Sequence, residues 1–176
     1  MEGISHEACS FAGTHKLGKL ICFYDQNGIS IDGKIENWFT DDSIKRFDSY
    51  GWQTICVDGH NIEEIDKAIV DAKNEKNKPT MIFCKTTIGF GSPNKSGTAD
   101  VHGAALGEEE VLKTREALNW DHDAFKVPQE AYDFWDSTKK GSELNLDWDN
   151  LIKTYDEKYP DKSAELRRRI KGDLPD

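Results

Sequence analysis

Apolar and polar positions recur at two different spacings along this chain, and the switching between them sketches a fold. Residues 4–15 carry Ile4, Ala8, Phe11 and Ala12 at helical spacing, which predicts a short helix with that apolar face, ended by Gly18. Leu20-Ile21-Cys22-Phe23-Tyr24 is a continuous apolar run and predicts the first strand. A long polar loop from Asp25 to Thr40 follows, and Asp41 is placed to cap a helix running through Ile44 and Phe47 to Tyr50. Trp52–Val57 predicts a second strand. Asn61 with Glu64 three residues on reads as a capping box, opening a helix with Ile62, Ile65, Ile69 and Ala72 on one face. Pro79 then restarts the chain into a third strand, Thr80–Lys85. Strands alternating with helices predict βαβ units, hence an α/β fold with a parallel sheet and flanking helices.

From Glu108 the pattern changes to helices without strands. Glu108-Glu109-Glu110 suits a helix first turn, where the macrodipole favours negative charge, and Pro128 suits the N1 position of another helix. Leu144, Trp148, Leu151, Ile152, Tyr155 and Tyr159 form an apolar stripe ended by Pro160, and a last short helix holds Leu166 and Ile170. The expected organisation is an α/β core over residues 1–107 with a helical C-terminal appendage of the same domain over 108–176.

Composition narrows the class. With 36% hydrophobic and 32% charged residues the chain has enough apolar content for a modest core. A formal net charge of -10 argues against tracking along nucleic acid or an anionic membrane, while leaving room for a locally positive site for a phosphorylated substrate. The N-terminus has no basic segment followed by an apolar core, and no apolar run approaches the ~20 residues that span a bilayer. A cytoplasmic protein is expected. Cys9, Cys22, Cys56 and Cys84 form no CxxC pair and read as reduced, buried thiols.

Chemistry concentrates where predicted strands end. In Tyr24-Asp25-Gln26-Asn27-Gly28-Ile29-Ser30-Ile31-Asp32-Gly33 a strand runs into a turn bearing an amide, a carboxylate and a glycine, the position at which parallel α/β sheets place ligands. Mg²⁺ held with a diphosphate takes oxygen donors and only a few from protein. The Asn27 side chain and the Ile29 carbonyl are candidate donors, because Gly28 lets the backbone bend. An ordinary Asn/Asp/Gly surface turn is the competing reading. An EF-hand fails on Ile29 at the fifth position and Ser30 where the sharp-turn glycine belongs. The third strand opens into Gly89-Phe90-Gly91-Ser92-Pro93-Asn94-Lys95-Ser96-Gly97-Thr98, which lacks the GK[ST] of a Walker loop. His102, framed by small residues in Val101-His102-Gly103-Ala104, is either a phosphate donor and proton shuttle or a loop histidine without a role. His6, His15, His60 and His122 read as structural or solvated, no Cys/His cluster suggests zinc, and Arg167-Arg168-Arg169 reads as a solvated helix face.

Taken in order, Met1-Glu2-Gly3-Ile4-Ser5-His6-Glu7-Ala8, Asp25–Gly33, Trp38-Phe39-Thr40-Asp41-Asp42, Lys85–Ser92 and His102-Gly103-Ala104 resemble the transketolase family of thiamine-diphosphate enzymes over essentially the whole chain. The resemblance implies the thiamine-diphosphate-binding fold in part. It implies thiamine diphosphate with Mg²⁺ (Ca²⁺ or another divalent ion as the alternative), with Asn27 and Ile29 as metal ligands. Gly3, Ile31 and His102 would contact the cofactor, His102 would also assist proton movement, and Glu2 and Glu7 would lie near a homodimer interface. The implied reaction moves a two-carbon ketol unit from a ketose phosphate to an aldose phosphate in the pentose phosphate pathway. Dihydroxyacetone synthase, deoxyxylulose-phosphate synthase and a non-catalytic scaffolding module are the alternatives. Ala105 stands where many relatives have proline. The family's anionic metal ligand would fall before Met1 and its pyrimidine-binding domain after Asp176, so the isolated chain is expected to bind cofactor weakly and to be inactive.

Overall fold

In the computed structural model, which describes residues 3–175, the chain begins with helix α1 (Gly3–Thr14) and strand β1 (Ile21–Gln26), followed by the short strands β2 (Ile29–Ser30) and β3 (Gly33–Lys34). Helix α2 (Ser43–Ser49), β4 (Gln53–Asp58), α3 (Ile62–Asn74) and β5 (Thr80–Lys85) complete the sheet region. Helices α4 (Glu108–Ala117), α5 (Gln129–Trp135), α6 (Thr138–Lys158) and α7 (Pro160–Lys171) follow. Contacts divide the chain into one unit ending at Asp121 and a second starting at His122.

The sheet of the first unit has the order β1-β5-β4, all parallel. Its central strand β5 is buried from Thr80 to Cys84, the continuous apolar character of a strand covered on both faces. Alternation along β5 divides two cores. Met81 and Phe83 pack with Ala12, Phe47 and Trp52 beneath α1 and α2, whereas Ile82 and Cys84 pack with Val57, Ala68 and Ala72 beneath α3. Gln26, Asp58 and Lys85 stand side by side, because β1 and β4 pair with β5 in the same register. Their carboxyl ends therefore form one edge, and the loops that leave it build the site.

Several predicted details differ. The α1 residues expected to face inward are largely outside, with Ile4 75% and Phe11 62% exposed. The inward face is Ser5, His6, Cys9, Ala12 and Gly13, and Trp52 Nε1 donates to the Cys9 carbonyl at 2.8 Å. Small residues won that face because the helix lies close against the turn at Tyr50. On α3, Ile62 is exposed, and Ala68 joins Ala72 in the core. Asp42 caps α2, its carboxylate accepting from Lys45 N, while Asp41 pairs with Arg46. The loop predicted from Asp25 to Thr40 contains the β2–β3 hairpin. Cys84 alone among the four thiols is fully buried; Cys9 and Cys22 are half-buried, Cys56 is exposed, and all four are free. Burial pushes the Cys84 thiol above its ordinary range, and the Asp25 carboxylate adds to the shift.

Asn61 caps α3, its Oδ1 accepting from Glu63 N at 3.1 Å and Glu64 N at 3.2 Å, and its Nδ2 donating to Glu64. Asn61→Ala is expected to destabilise the protein by about 1 kcal/mol, read as a lower urea midpoint with an unchanged slope.

In the second unit, Pro128 is the N-cap residue of α5 and Pro160 is the first residue of α7. Along α6, Leu144, Trp148 and Leu151 are exposed while Ile152 and Tyr155 are half-buried. The arginine run is ion-paired, Arg167 to Asp156 and both Arg168 and Arg169 to Glu165. No helix of the described residues is long and apolar enough to cross a membrane.

Candidate functional site

The turn after β1 is held by its own side chains. Asn27 Oδ1 accepts from Ile29 N at 2.9 Å, and Asn27 Nδ2 donates to Asp25 Oδ2 at 3.1 Å. Thr86, just past β5, donates its hydroxyl to the other Asp25 oxygen. Asp25 thus links the ends of two neighbouring strands and orients the Asn27 amide. Gly28 has φ +73°, a conformation that favours glycine. Gly28 O accepts from Ile35 N at 3.2 Å. That bond makes Ile29↔Lys34 a non-hydrogen-bonded pair of the hairpin, and Ser30↔Gly33 the next bonded one. The Ile29 N–H and carbonyl consequently face away from β3, on the side where Asn27 Oδ1 lies.

A cavity of about 230 Å³ is lined by residues Tyr24 to Ser30 with Ile35, Trp38 and Phe39. It brings together Asn27 and Ile29, the predicted metal ligands. Their two donors are neutral oxygens, the kind Mg²⁺ accepts, and Asn27 Oδ1 keeps a lone pair beyond the one used by Ile29 N–H. The donor set fits a cation that brings most of its own ligands. Among the described residues no cluster of three or more His, Cys, Asp or Glu is arranged to hold a metal.

The other predicted residues lie apart from this lining. Ile31 sits at the hairpin tip, 70% exposed. Gly3 starts α1 with open space around its Cα. Glu7 is exposed on the same helix, and Glu2 lies outside the described residues. His102 follows a 3₁₀ turn, Ala99–Val101, and is exposed.

Two further groups organise the loop that leads to His102. His60 Nε2 accepts from Thr87 N at 2.9 Å, and its ring stacks on Phe90 with centroids 4.1 Å apart. Acceptance at Nε2 assigns the ring proton of the neutral imidazole to Nδ1. His60 borders a second cleft along the carboxyl edge, about 660 Å³, with Gln26, Asp58, Glu64, Lys85 and Thr86. Glu110 on α4 is 6% exposed and receives the Ser92 hydroxyl, Asn94 N and Asn94 Nδ2, the latter two at 2.8 Å. Those donors, Ser92 first, hold its carboxyl down at about 2 against the usual 4.5. The network is therefore complete above the ordinary carboxylate range and is lost only as pH falls from there through about 2. Sequence reading took His60 as structural or solvated and Glu110 as part of a helix first turn, and gave neither a part in the site. For His60 a signal existed, since Asp58-Gly59-His60-Asn61 directly follows a strand of the parallel sheet; for Glu110 there was none, its partners lying 16 and 18 residues away.

Residues 1–175 match the family described as "Transketolase, thiamine diphosphate binding domain". The chain is 56% identical to the transketolase of Buchnera aphidicola subsp. Schizaphis graminum and 52% identical to transketolase 1 of Escherichia coli K12, in each case over 99% of its own length and 26% of the relative's. It superimposes on transketolase from Leishmania mexicana with a TM-score of 0.93 at 36% identity, covering 99% of this chain and 27% of that one. A Pichia stipitis transketolase in complex with sedoheptulose 7-phosphate gives a TM-score of 0.91 at 42% identity, covering 100% of this chain and 26% of that one. The chain spans about a quarter of the length of these relatives.

Proposed function

Since the chain belongs to the transketolase family, whose thiamine diphosphate-binding domain it matches over residues 1–175, we propose that it forms the diphosphate-binding part of an enzyme moving a two-carbon ketol unit from a ketose phosphate to an aldose phosphate. The observation that supports this reading is the Asn27–Ile29 turn after β1, where Asn27 Oδ1 accepts from Ile29 N and both residues line one cavity. Thiamine diphosphate, when bound, would supply a nucleophilic carbon and an electron sink.

The chain's own residues bind and orient. Asn27 Oδ1 and the Ile29 carbonyl hold Mg²⁺, which neutralises a diphosphate. Gly3 lets a phosphate approach the N-terminus of α1, where free N–H groups and the helix dipole favour an anion. Ile31 offers apolar surface to the cofactor rings. His102 donates to the diphosphate or moves a proton at the substrate oxygen, and its exposure leaves it accessible to both. Residues 1–107 are the core of the domain and 108–176 its helical extension. The full-length protein works in the cytoplasm as a homodimer, with Glu7 near the interface. Sugar phosphates bound to the Pichia stipitis relatives support the substrate class.

Purified at full length, the protein is expected to exchange a two-carbon unit between a ketose phosphate and an aldose phosphate only when thiamine diphosphate and Mg²⁺ are both present. Tight cofactor binding without transfer to any aldose phosphate would overturn the proposed activity.

A further inference from the structure

Between Ser92 and Glu110 the chain makes an excursion that passes through the 3₁₀ turn Ala99–Val101, with His102 exposed along it. It is strapped at its base. Glu110 accepts from Ser92 Oγ, Asn94 N and Asn94 Nδ2, so one carboxylate joins the outgoing strand of the excursion to the helix that receives the returning one. Lys95 Nζ closes a second rung on the Leu106 carbonyl at 2.8 Å. A third tie comes from Gly97 N, which donates to Ile88 O at 2.8 Å. Val101, the neighbour of His102, lies over Gly89, where a Cβ would stand 2.9 Å from Val101 Cγ2. The Ala99 carbonyl accepts from His102 N at 2.9 Å.

Burying a carboxylate is costly unless donors satisfy it, and the Ser92 and Asn94 groups that donate to the Glu110 carboxylate belong to this loop. The network therefore cannot be relaxed at one end without freeing the other. A solvent-exposed histidine on a glycine-rich segment would otherwise sample many positions. Fixing its backbone within a fraction of an ångström is what proton transfer to a bound substrate requires. We propose that Glu110 is a positioning residue for His102, acting as the strap that holds the 92–110 excursion closed, with Lys95 as the second rung. This rests on the role of His102 given above.

The test uses the full-length protein with Glu110→Ala, Glu110→Gln and His102→Ala. Amide exchange, measured without cofactor, is expected to quicken at Asn94 by about tenfold or more in Glu110→Ala, because its N–H loses a charged acceptor. Turnover per folded molecule is expected to fall by about 10- to 100-fold, chiefly in kcat, with KM for the sugar phosphates little changed. Glu110→Gln keeps the oxygen that serves Ser92 and Asn94 N, and is expected to restore most of the loss. A role in stability alone predicts instead a lower melting midpoint with parental kcat in the folded fraction, and that outcome overturns the proposal. So does parental exchange at Asn94. If Glu110→Ala is silent in kcat while His102→Ala is not, the strap fails and the reading of His102 stands; if His102→Ala is silent too, both fall. Should Glu110→Ala not fold, Asn94→Ala removes a single bond of the strap. A smaller kcat loss of the same kind supports the proposal, and parental kcat overturns it.

Discussion

Asn27→Ala is expected to weaken Mg²⁺-dependent thiamine diphosphate binding by the full-length protein about 100-fold or more, with the melting midpoint of the cofactor-free protein little changed. The amide does two things at once. Its Oδ1 is a candidate metal donor, and the same atom accepts from Ile29 N at 2.9 Å, fixing the peptide whose carbonyl is the second donor. Losing an orienting partner of a metal ligand commonly costs 10- to 100-fold in affinity, and here a ligand goes with its neighbour's orienter. The fold should tolerate the change, because the bonds lost belong to a local turn at the surface. Asn27→Asp sharpens the test. It keeps an oxygen for Ile29 N–H and for the ion, but puts a carboxylate where Nδ2 now lies 3.1 Å from Asp25 Oδ2. Like charges at that distance repel and raise a carboxyl pKa, so binding by the aspartate variant should fall less than with alanine at neutral pH and decline further as pH is lowered. Titration of Mg²⁺ at fixed thiamine diphosphate measures both. Binding by Asn27→Ala within threefold of the parent would remove this residue from the site.

Gly13→Ala is expected to be a severely damaging single-methyl change in the first unit, destabilising it by about 3 kcal/mol or more. A Cβ at Gly13 would lie 1.7 Å from the Tyr50 carbonyl oxygen and 3.3 Å from Trp52 Cδ1. The obstacle is backbone, so α1 must retreat. Retreat breaks the Trp52 Nε1 to Cys9 O bond and uncovers Ala12, which is 4% exposed. The gain in helix propensity on replacing glycine, about 1 kcal/mol, is too small to compensate. Gly141→Ala provides the contrast, since a Cβ there meets nothing within 4 Å. That substitution in the first turns of α6 is expected to be neutral or stabilising by up to about 1 kcal/mol. Urea midpoints of the two variants moving in the same direction would contradict the packing argument.

Elements differed in how far they could be read in advance. Thr80–Lys85 was legible because a strand buried on both faces must be apolar throughout, and nothing else in that window competes. Helix α3 was legible in its cap and its period, although Ile62 proved exposed and Ala68 buried. The first helix was misread for the opposite reason. Ile4 and Phe11 face out, while Cys9, Ala12 and Gly13 face in, because close approach to Tyr50 selects for small residues there rather than for hydrophobic bulk. Asn27 and Gly28 were visible as a strand-end turn. The partnership of Asp25 with Thr86 joins residues 61 apart and leaves no local trace.

By itself, then, the sequence determined the alternation of the sheet's strands with helices, the cap that opens α3, and the glycine and amide that bend the chain after β1. Those depend on neighbours within a few residues, whose spacing is written in the chain. Tertiary structure alone decided the order β1-β5-β4, the face that α1 presents, the strapping of the His102 excursion by Glu110, and the tie between Asp25 and Thr86. Each of these depends on contact across long separations, where the free energy of burying a group is set by whichever partner folding brings against it.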